Sequence, residues 1–348
     1  MISLREIAKK CGVSVITVSR ALDPHKTVKV NPETRKKILE ICTRENFYPS
    51  FTARSLASGK TRSIGFIVPG MSMISKSPQT TIYLEEMNYR LEQAGYNLVL
   101  LPVNGSDWET IRRNAEQLIL SNRCDGYVTV GFSVELPAEL PVAVLQTTSS
   151  EEIEQKRFPV ICIDNRSAMS EMAEHLKKQG YGKPLFISFG AGVPERRRQW
   201  QEAFQKSAFP PITELDLPPS RIGMSGDVAM LKVLKARLPE IKNYDIWIFS
   251  NDQWALLAAE LLESEGLAPG RDVALIGFDD IEKDLQDAKI STIAPPREDF
   301  GRQIARTVLE RIKKRGRDFS DIRIELKSKA IFRSSSSKNI SSTNIKEK

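Results

Sequence analysis

The sequence predicts a small helix-turn-helix domain followed by an α/β body made of two parallel-sheet lobes. Three observations predict it. Excess positive charge is confined to the first sixth of the chain, two short capped helices there flank a glycine turn, and Val/Ile-rich strands alternate with amphipathic helices through the rest. With 348 residues, 41% hydrophobic and 27% charged, the chain has the length and composition of a folded protein of two or three domains.

Several classes of protein are set aside at once. No run of about 18 apolar residues exists to span a bilayer. Residues 1–10 are amphipathic and charged, unlike the apolar stretch of a signal peptide. Cys11, Cys42, Cys124 and Cys162 lie far apart with no Cys-x-x-Cys pair, which reads as reduced thiols in a cytoplasmic protein. Only His25 and His175 are present, so zinc sites and histidine acid–base chemistry are disfavoured and no cofactor is expected.

Charge distribution says more than the net +7. Residues 1–62 hold 13 Lys/Arg and 5 Asp/Glu, a net of +8, and the remainder is close to neutral. A basic head on a neutral body points to a polyanion-binding module. A membrane-surface helix would use exposed Trp, Phe or Leu beside its cations, and the head has no Trp.

Within the head, Ser3 and Glu6 form a capping-box pattern ahead of a helix with Leu4, Ile7 and Ala8 on its apolar face. Gly12 sits in the turn, where a positive φ is required. Ser14 then caps a second helix over 15–22, with Val18, Ala21 and Leu22 facing inward. Asn31 caps a third helix whose first position is Pro32, and Ile38, Leu39 and Cys42 are expected to close a small core. A helical bundle with basic solvent faces would share this geometry. The charge, together with a second helix that exposes Val15, Ile16, Thr17, Ser19 and Arg20 and no acid, favours entry into the DNA major groove.

The stretch LREIAKKCGVSVITVSRAL (4–22) resembles the DNA-binding head of the LacI/GalR family of bacterial transcriptional regulators. The likeness continues through VNPETRKKILEI and YPSFTARSLASGKTRSIGFIVP and extends to Arg333. It implies base reading by Val15, Ile16 and Arg20 and phosphate contacts by Thr17 and Ser19; Ser14 and Asn31 join this DNA-binding set. Arg20 can pair with guanine, whereas Val15 and Ile16 offer apolar contact to thymine methyls. The segment 23–30 is about two residues longer than usual in the family, and His25, Lys26 and Lys29 within it are candidate phosphate contacts.

Residues 49–60 read as a hinge. A helix over 51–58 is too short to hold alone in water. The resemblance implies that it orders on DNA, with Leu56 as a minor-groove wedge and Ala53 as its close-packing neighbour. Gly59-Lys60-Thr61 is no phosphate loop, because Arg54 stands where that motif needs glycine.

In the body, strands are predicted at 63–68, 97–103, 127–130, 143–145, 160–163, 185–188, 246–250 and 273–278. Helices are predicted at 82–94, 108–120, 168–179, 195–206, 227–237 and 254–265. About 270 residues is too many for one sheet with one core, so two lobes follow. The resemblance implies a type I periplasmic-binding-protein-like fold with three strand crossovers, placed near Asp164, Ser291 and Asp321. The expected organisation is therefore a head over 1–48, a hinge over 49–60 and an effector-binding and dimerisation domain over 61–333. Its first lobe takes 61–163 and 291–320, its second 164–290 and 321–333, and a disordered tail covers 334–348.

Candidate effector ligands sit at strand ends or helix starts, where open α/β sheets bind small molecules. By the resemblance these are Asp164, Arg196 and Asp252, with Arg221 in the region where relatives often carry an aromatic. Each acid has a plainer reading: Asp252 as a helix cap, Asp164 as an ordering residue of its crossover loop. Asp279-Asp280 is assigned to capping and to the lobe interface. Arg221, and Gln146 where some relatives have an aspartate, favour an anionic or acid-sugar effector.

The implied function is a sequence-specific repressor, not an enzyme. It would bind a palindromic operator as a homodimer in the bacterial cytoplasm under control of a small molecule such as a sugar. A solute-binding protein would have no use for the basic head. An α/β enzyme would show a Gly-x-Ser-x-Gly elbow, a P-loop or a metal-ligand cluster, and the sequence has none; His175 reads as a packing residue.

Overall fold

The computed structural model describes residues 2–22, 30–48, 55, 58–71, 74, 78–146, 157–189, 194–217, 226–281, 287–314, 316–317, 319 and 322–338. The head comprises α1 (Leu4–Cys11), α2 (Val15–Leu22) and α3 (Pro32–Arg44). The capping box forms as the sequence demands: Ser3 accepts from the Glu6 N–H while Glu6 accepts from the Ser3 N–H. Gly12 adopts φ +69°, ending α1 in the left-handed conformation that spares only glycine a steric cost. Ile7, Ala8, Cys11, Val18, Ala21, Ile38, Ile41 and Cys42 form the small core. Leu39 was expected there and is instead 45% exposed, because Ile38, Ile41 and Cys42 already fill the inward stripe of α3.

The body holds two six-stranded sheets. The first contains β1 (Ser63–Pro69), β2 (Asn97–Val103), β3 (Gly126–Val130), β4 (Val142–Gln146), β5 (Val160–Asp164) and β11 (Arg323–Lys327), in the order β11-β5-β4-β3-β1-β2. The second contains β6 (Pro184–Phe189), β7 (Thr213–Leu217), β8 (Ile246–Phe249), β9 (Ala274–Phe278), β10 (Ser291–Ala294) and β12 (Lys329–Ile331), in the order β12-β10-β9-β8-β6-β7. Every pairing is parallel except β10 with β12. The central strands are buried throughout, as strands covered on both faces must be. Covering them are α4 (Pro78–Gln93), α5 (Trp108–Leu120), α6 (Arg166–Lys178), α7 (Pro194–Lys206), α8 (Gly226–Ile241), α9 (Asp252–Ser264) and α10 (Arg297–Lys313).

Both lobes begin in the same way. Asp125, just before β3, accepts hydrogen bonds from the Thr61 and Arg62 N–H groups (2.7 and 3.0 Å) where the chain enters β1. Asp245, just before β8, accepts from the Gly182 and Lys183 N–H groups where the chain enters β6. Each carboxylate thereby satisfies backbone donors that precede the ladder.

The chain passes between lobes three times, at places that correct the expected boundaries. The first passage follows Asp164, as expected. The second comes after β10, not before it: Ser291, Thr292 and Ile293 pair with Ile276, Gly277 and Phe278 in the second sheet. Pro295-Pro296, which lacks N–H groups to continue a ladder, then carries the chain to α10, which packs on α4 of the first lobe. The third lies at Ser328, because Arg323–Lys327 adds to β5 and only Lys329–Ile331 joins the second sheet. The expected disordered tail is also corrected over 334–338: a 3-10 turn at Ser334–Ser336 buries Ser335 and Ser336. His175 has the packing role predicted for it, its ring 4.6 Å from that of Phe332 and its Nε2 3.0 Å from the Ser336 carbonyl.

Candidate functional site

On the head, α2 presents a mixed apolar and cationic face. Val18 and Ala21 anchor the helix in the core, which turns Val15, Ile16 and Arg20 to solvent. Ile16 is 63% exposed, an unusual position for its side chain unless a partner covers it. Ser14 caps the helix by accepting from the Thr17 N–H at 3.1 Å, and its hydroxyl also lies 2.9 Å from that of Thr17. Ser19 is half-buried. Asn31 is exposed and accepts from the Glu33 N–H, a capping geometry. The Lys10–Glu45 ion pair, 2.7 Å, ties the end of α1 to the end of α3 and steadies this face. Ala53 and Leu56 of the hinge, and the candidate phosphate contacts His25, Lys26 and Lys29, lie outside the described residues.

The second candidate site lies where β8, β9 and β10 end at the C-terminal edge of the second sheet. Arg196, in the first turn of α7, is buried and donates from Nη1 to the Ser250 carbonyl at 2.8 Å. Its guanidinium lies 3.6 Å from the centre of the Phe278 ring, a cation–π contact. Asp252 opens α9 but does not cap it, since Asn251 takes that role by accepting from the Trp254 N–H. The Asp252 carboxylate is buried and accepts at Oδ2 from the Ile281 N–H at 2.9 Å. Burial pushes this carboxyl up to about 7, against the lowering effect of the Thr292 hydroxyl and the Ile281 N–H. Gly277 is required beside it, because a Cβ there would collide with the carboxylate.

Asp279 and Asp280 complete the cluster. Both adopt positive φ (102° and 55°), backbone that costs a side-chain-bearing residue energy and persists where surroundings hold it. Burial raises the Asp279 carboxyl above its ordinary range, opposed by Arg196 and Arg297. Burial also lowers Arg196, opposed by Asp279 and Asp252. Asp280 accepts at Oδ1 from Arg333 (2.7 Å) and at its carbonyl from Arg297 (3.1 Å), the first residue of α10. Asp280 thus has the interface position expected of it. The residues that either aspartate would cap, 282–286, lie outside the described residues. Four buried polar atoms here lack a hydrogen-bond partner: Arg196 Nε, Asp252 Oδ1, Asp279 Oδ1 and Arg297 Nη1.

Arg196 and Asp252 are therefore brought together, with Asp279 and Arg297 as members that sequence reasoning had not placed there. The available signal was GFDD directly after a strand. Asp164 accepts from the Arg166 N–H at 3.1 Å, and its carbonyl accepts from Ser328 N–H across the third crossing. Its neighbour Asn165 is fully buried, accepting from the Ser328 hydroxyl at 2.7 Å and donating to Gln199 of α7. Arg221 lies outside the described residues. The four cysteines are all buried and unbridged, and burial pushes the Cys124 and Cys162 thiols up to about 11, the opposite of a nucleophile's environment. No helix among the described residues is long and apolar enough to cross a membrane.

Comparison with known proteins agrees with both halves of the chain. Residues 3–50 match the bacterial regulatory proteins of the lacI family, and residues 173–336 match the periplasmic binding protein-like domain. The chain is 28% identical over 324 residues to the sucrose operon repressor of Escherichia coli, covering 89% of this chain and 94% of that protein. It is 25% identical to catabolite control protein A of Priestia megaterium, covering 93% and 96%. The fold matches that of the lac repressor dimer bound to operator and the anti-inducer ONPF, with a TM-score of 0.74 at 19% identity, covering 97% of this chain and 99% of that one. The chain thus joins a DNA-binding domain of the lacI family of bacterial regulatory proteins to a periplasmic-binding-protein-like body, the two parts found together in the regulators it resembles.

Proposed function

We propose that this regulator is a cytoplasmic, homodimeric repressor of a palindromic operator whose affinity is set by a hydroxyl-rich small molecule, a sugar or sugar derivative, held by Arg196, Asp252, Asp279 and Arg297. The observation that carries the effector class is the set of four unpartnered buried atoms, two donors and two acceptors. Buried polar groups without partners are costly, so a native protein keeps them where a ligand or water completes them. A hydroxyl both donates and accepts, and a polyol presents several at close spacing. A simple anion would satisfy the two arginines and be repelled by the two aspartates. This balance argues for a neutral polyol over the anionic effector suggested by Arg221 and Gln146. The sucrose operon repressor among its relatives is in keeping with that class.

On DNA, the exposed tips of Val15 and Ile16 suit thymine methyls, and Arg20 suits guanine. Thr17, Ser19 and the caps Ser14 and Asn31 suit the backbone, with Ala53 and Leu56 in the minor groove. Effector contact with the second lobe would act on DNA by shifting α10, and with it the first lobe, whose Asp125 holds the end of the hinge. The test is a thermal-shift panel of neutral sugars, polyols, sugar acids and nucleobases on the full chain, followed by calorimetry and operator binding. Stabilisation by a neutral sugar or polyol that also changes operator affinity is the expected result. Selective stabilisation by sugar acids or nucleobases would overturn the class.

A further inference from the structure

A segment outside both sheets reaches the polar cluster from behind. Residues 332–338 lie along the second lobe as a strap. Ser335 donates from its hydroxyl to the Leu275 carbonyl (2.7 Å) and accepts from the Ser291 N–H (2.8 Å). The Lys338 ammonium donates to the Gly180 carbonyl (3.0 Å) and lies 4.1 Å from the centre of the Tyr181 ring. Gly270 leaves room for the strap backbone, since a Cβ there would collide with the Ser334 carbonyl.

At the start of the strap Arg333 turns inward. Nη1 donates to the Ile290 carbonyl at 2.8 Å and Nη2 to Asp280 Oδ1 at 2.7 Å, with both charged side chains largely buried. Asp280 is a node. Its carboxylate takes Arg333, its carbonyl takes Arg297 from the first-lobe helix α10, and its N–H lies 3.4 Å from the Thr292 hydroxyl. The residue before it presents a carboxylate in the field of Arg196 and Arg297, and the residue after it donates its N–H to Asp252. Two successive left-handed aspartates do not hold such a turn unaided.

We infer that Arg333 is a positioning residue for the effector cluster: its ion pair with Asp280, braced by its bond to the Ile290 carbonyl, holds the Asp279–Ile281 turn in the geometry that sets Asp279 against the two arginines and Ile281 N–H against Asp252. The functional consequence rests on the effector reading above; the positional claim does not. Without that pair, the Asp280 carboxylate is left buried without its counter-charge, and the turn loses its anchor. Arg333 also ties the strap through Asp280 to α10, so the strap shares in fixing the register of the two lobes.

The test uses the full chain with Arg333→Met, which keeps the aliphatic stem, Arg333→Lys, and Lys338→Ala, which weakens the strap away from the turn. Amide hydrogen exchange at Ile281 is the first readout. Arg333→Met is expected to speed it by about tenfold or more, Arg333→Lys by less, and Lys338→Ala hardly at all. The second readout is stability against pH. The groups facing Asp252 are Arg196 from α7, Asp279 and Asp280 from the turn and Thr292 from β10, while Arg297 from α10 faces Asp279. Loss of the Ile281 N–H and of the counter-charge on Asp280 both raise the Asp252 carboxyl further, so the pH-dependent loss of stability extends to higher pH in Arg333→Met. Equal exchange at Ile281 and superimposable pH profiles in Arg333→Met and Lys338→Ala would overturn the inference, leaving the strap as packing alone. Neither readout uses an effector, so a failed sugar panel would overturn the effector class and leave this result standing.

Discussion

Replacing Asp252 with asparagine is expected to stabilise the effector-free protein at pH 8 and to change it little at pH 3. The reason is the direction of the shift. Burial raises the Asp252 carboxyl from 3.8 to about 7 in the folded protein. A carboxyl raised in this way binds its proton more tightly folded than unfolded, so stability falls as pH rises through the unfolded value and on to the folded one. The loss is complete above about pH 7 and absent well below 4. Three pH units correspond to about 4 kcal/mol at most. The shift to about 7 already contains the attraction of neighbouring cations, so about 4 kcal/mol is the upper bound on what the substitution can recover. Asparagine is nearly isosteric and keeps an oxygen to accept from the Ile281 N–H. Trp200, Trp247 and Trp254 all lie in the second lobe, so urea titrations followed by tryptophan fluorescence at several pH values report on the right unit. Wild type and variant should converge toward acid and separate above neutrality. A constant offset across pH, or a variant less stable at pH 8, would refute the argument. The same substitution should weaken the effector found by the panel roughly 10- to 150-fold, since a charged hydrogen bond is lost.

Three further outcomes follow from the head, the hinge and its anchor. Arg20→Ala should relax preference at one position per operator half-site at a cost of about 1–3 kcal/mol, read by binding to a set of single-base operator variants. Leu56→Ala should weaken specific binding and reduce operator bending while non-specific, salt-sensitive binding persists; unchanged bending with a lower melting temperature would make the hinge a mere linker. Asp125→Ala strips two backbone N–H groups at the hinge exit of their acceptor. It should cost the body about 2 kcal/mol and lower operator affinity, measured by denaturation and by gel shift. A variant with reduced stability but full operator affinity would show that Asp125 serves the fold alone.

Local rules carried much of the architecture. The capping box at Ser3 and Glu6, the Gly12 turn, the Asn31-Pro32 start and the buried runs of the central strands are all decided by residues within a few positions of one another. Edge elements were another matter. β7 (TELDL) and β11 (RIELK) alternate polar and apolar residues and read as exposed loop until a neighbouring strand supplies the ladder. β10 (STIA) was not among the predicted strands, and residues 291–320 were assigned to the first lobe.

By itself, then, the sequence determined the head and its exposed reading face, the α/β character of the body, and the pairing of Arg196 with Asp252 through family likeness. Only the tertiary structure decided which sheet Ser291–Ala294 and Arg323–Lys327 join, that Asp279 and Arg297 enter the cluster while Asp164 orders a crossing, and that residues 332–338 reach back to Asp280. The physical reason is range. Capping and helical periodicity are satisfied by near neighbours, whereas a strand's ladder partner or a buried charge's counter-ion comes from residues tens to more than a hundred positions away, and composition does not encode which one arrives.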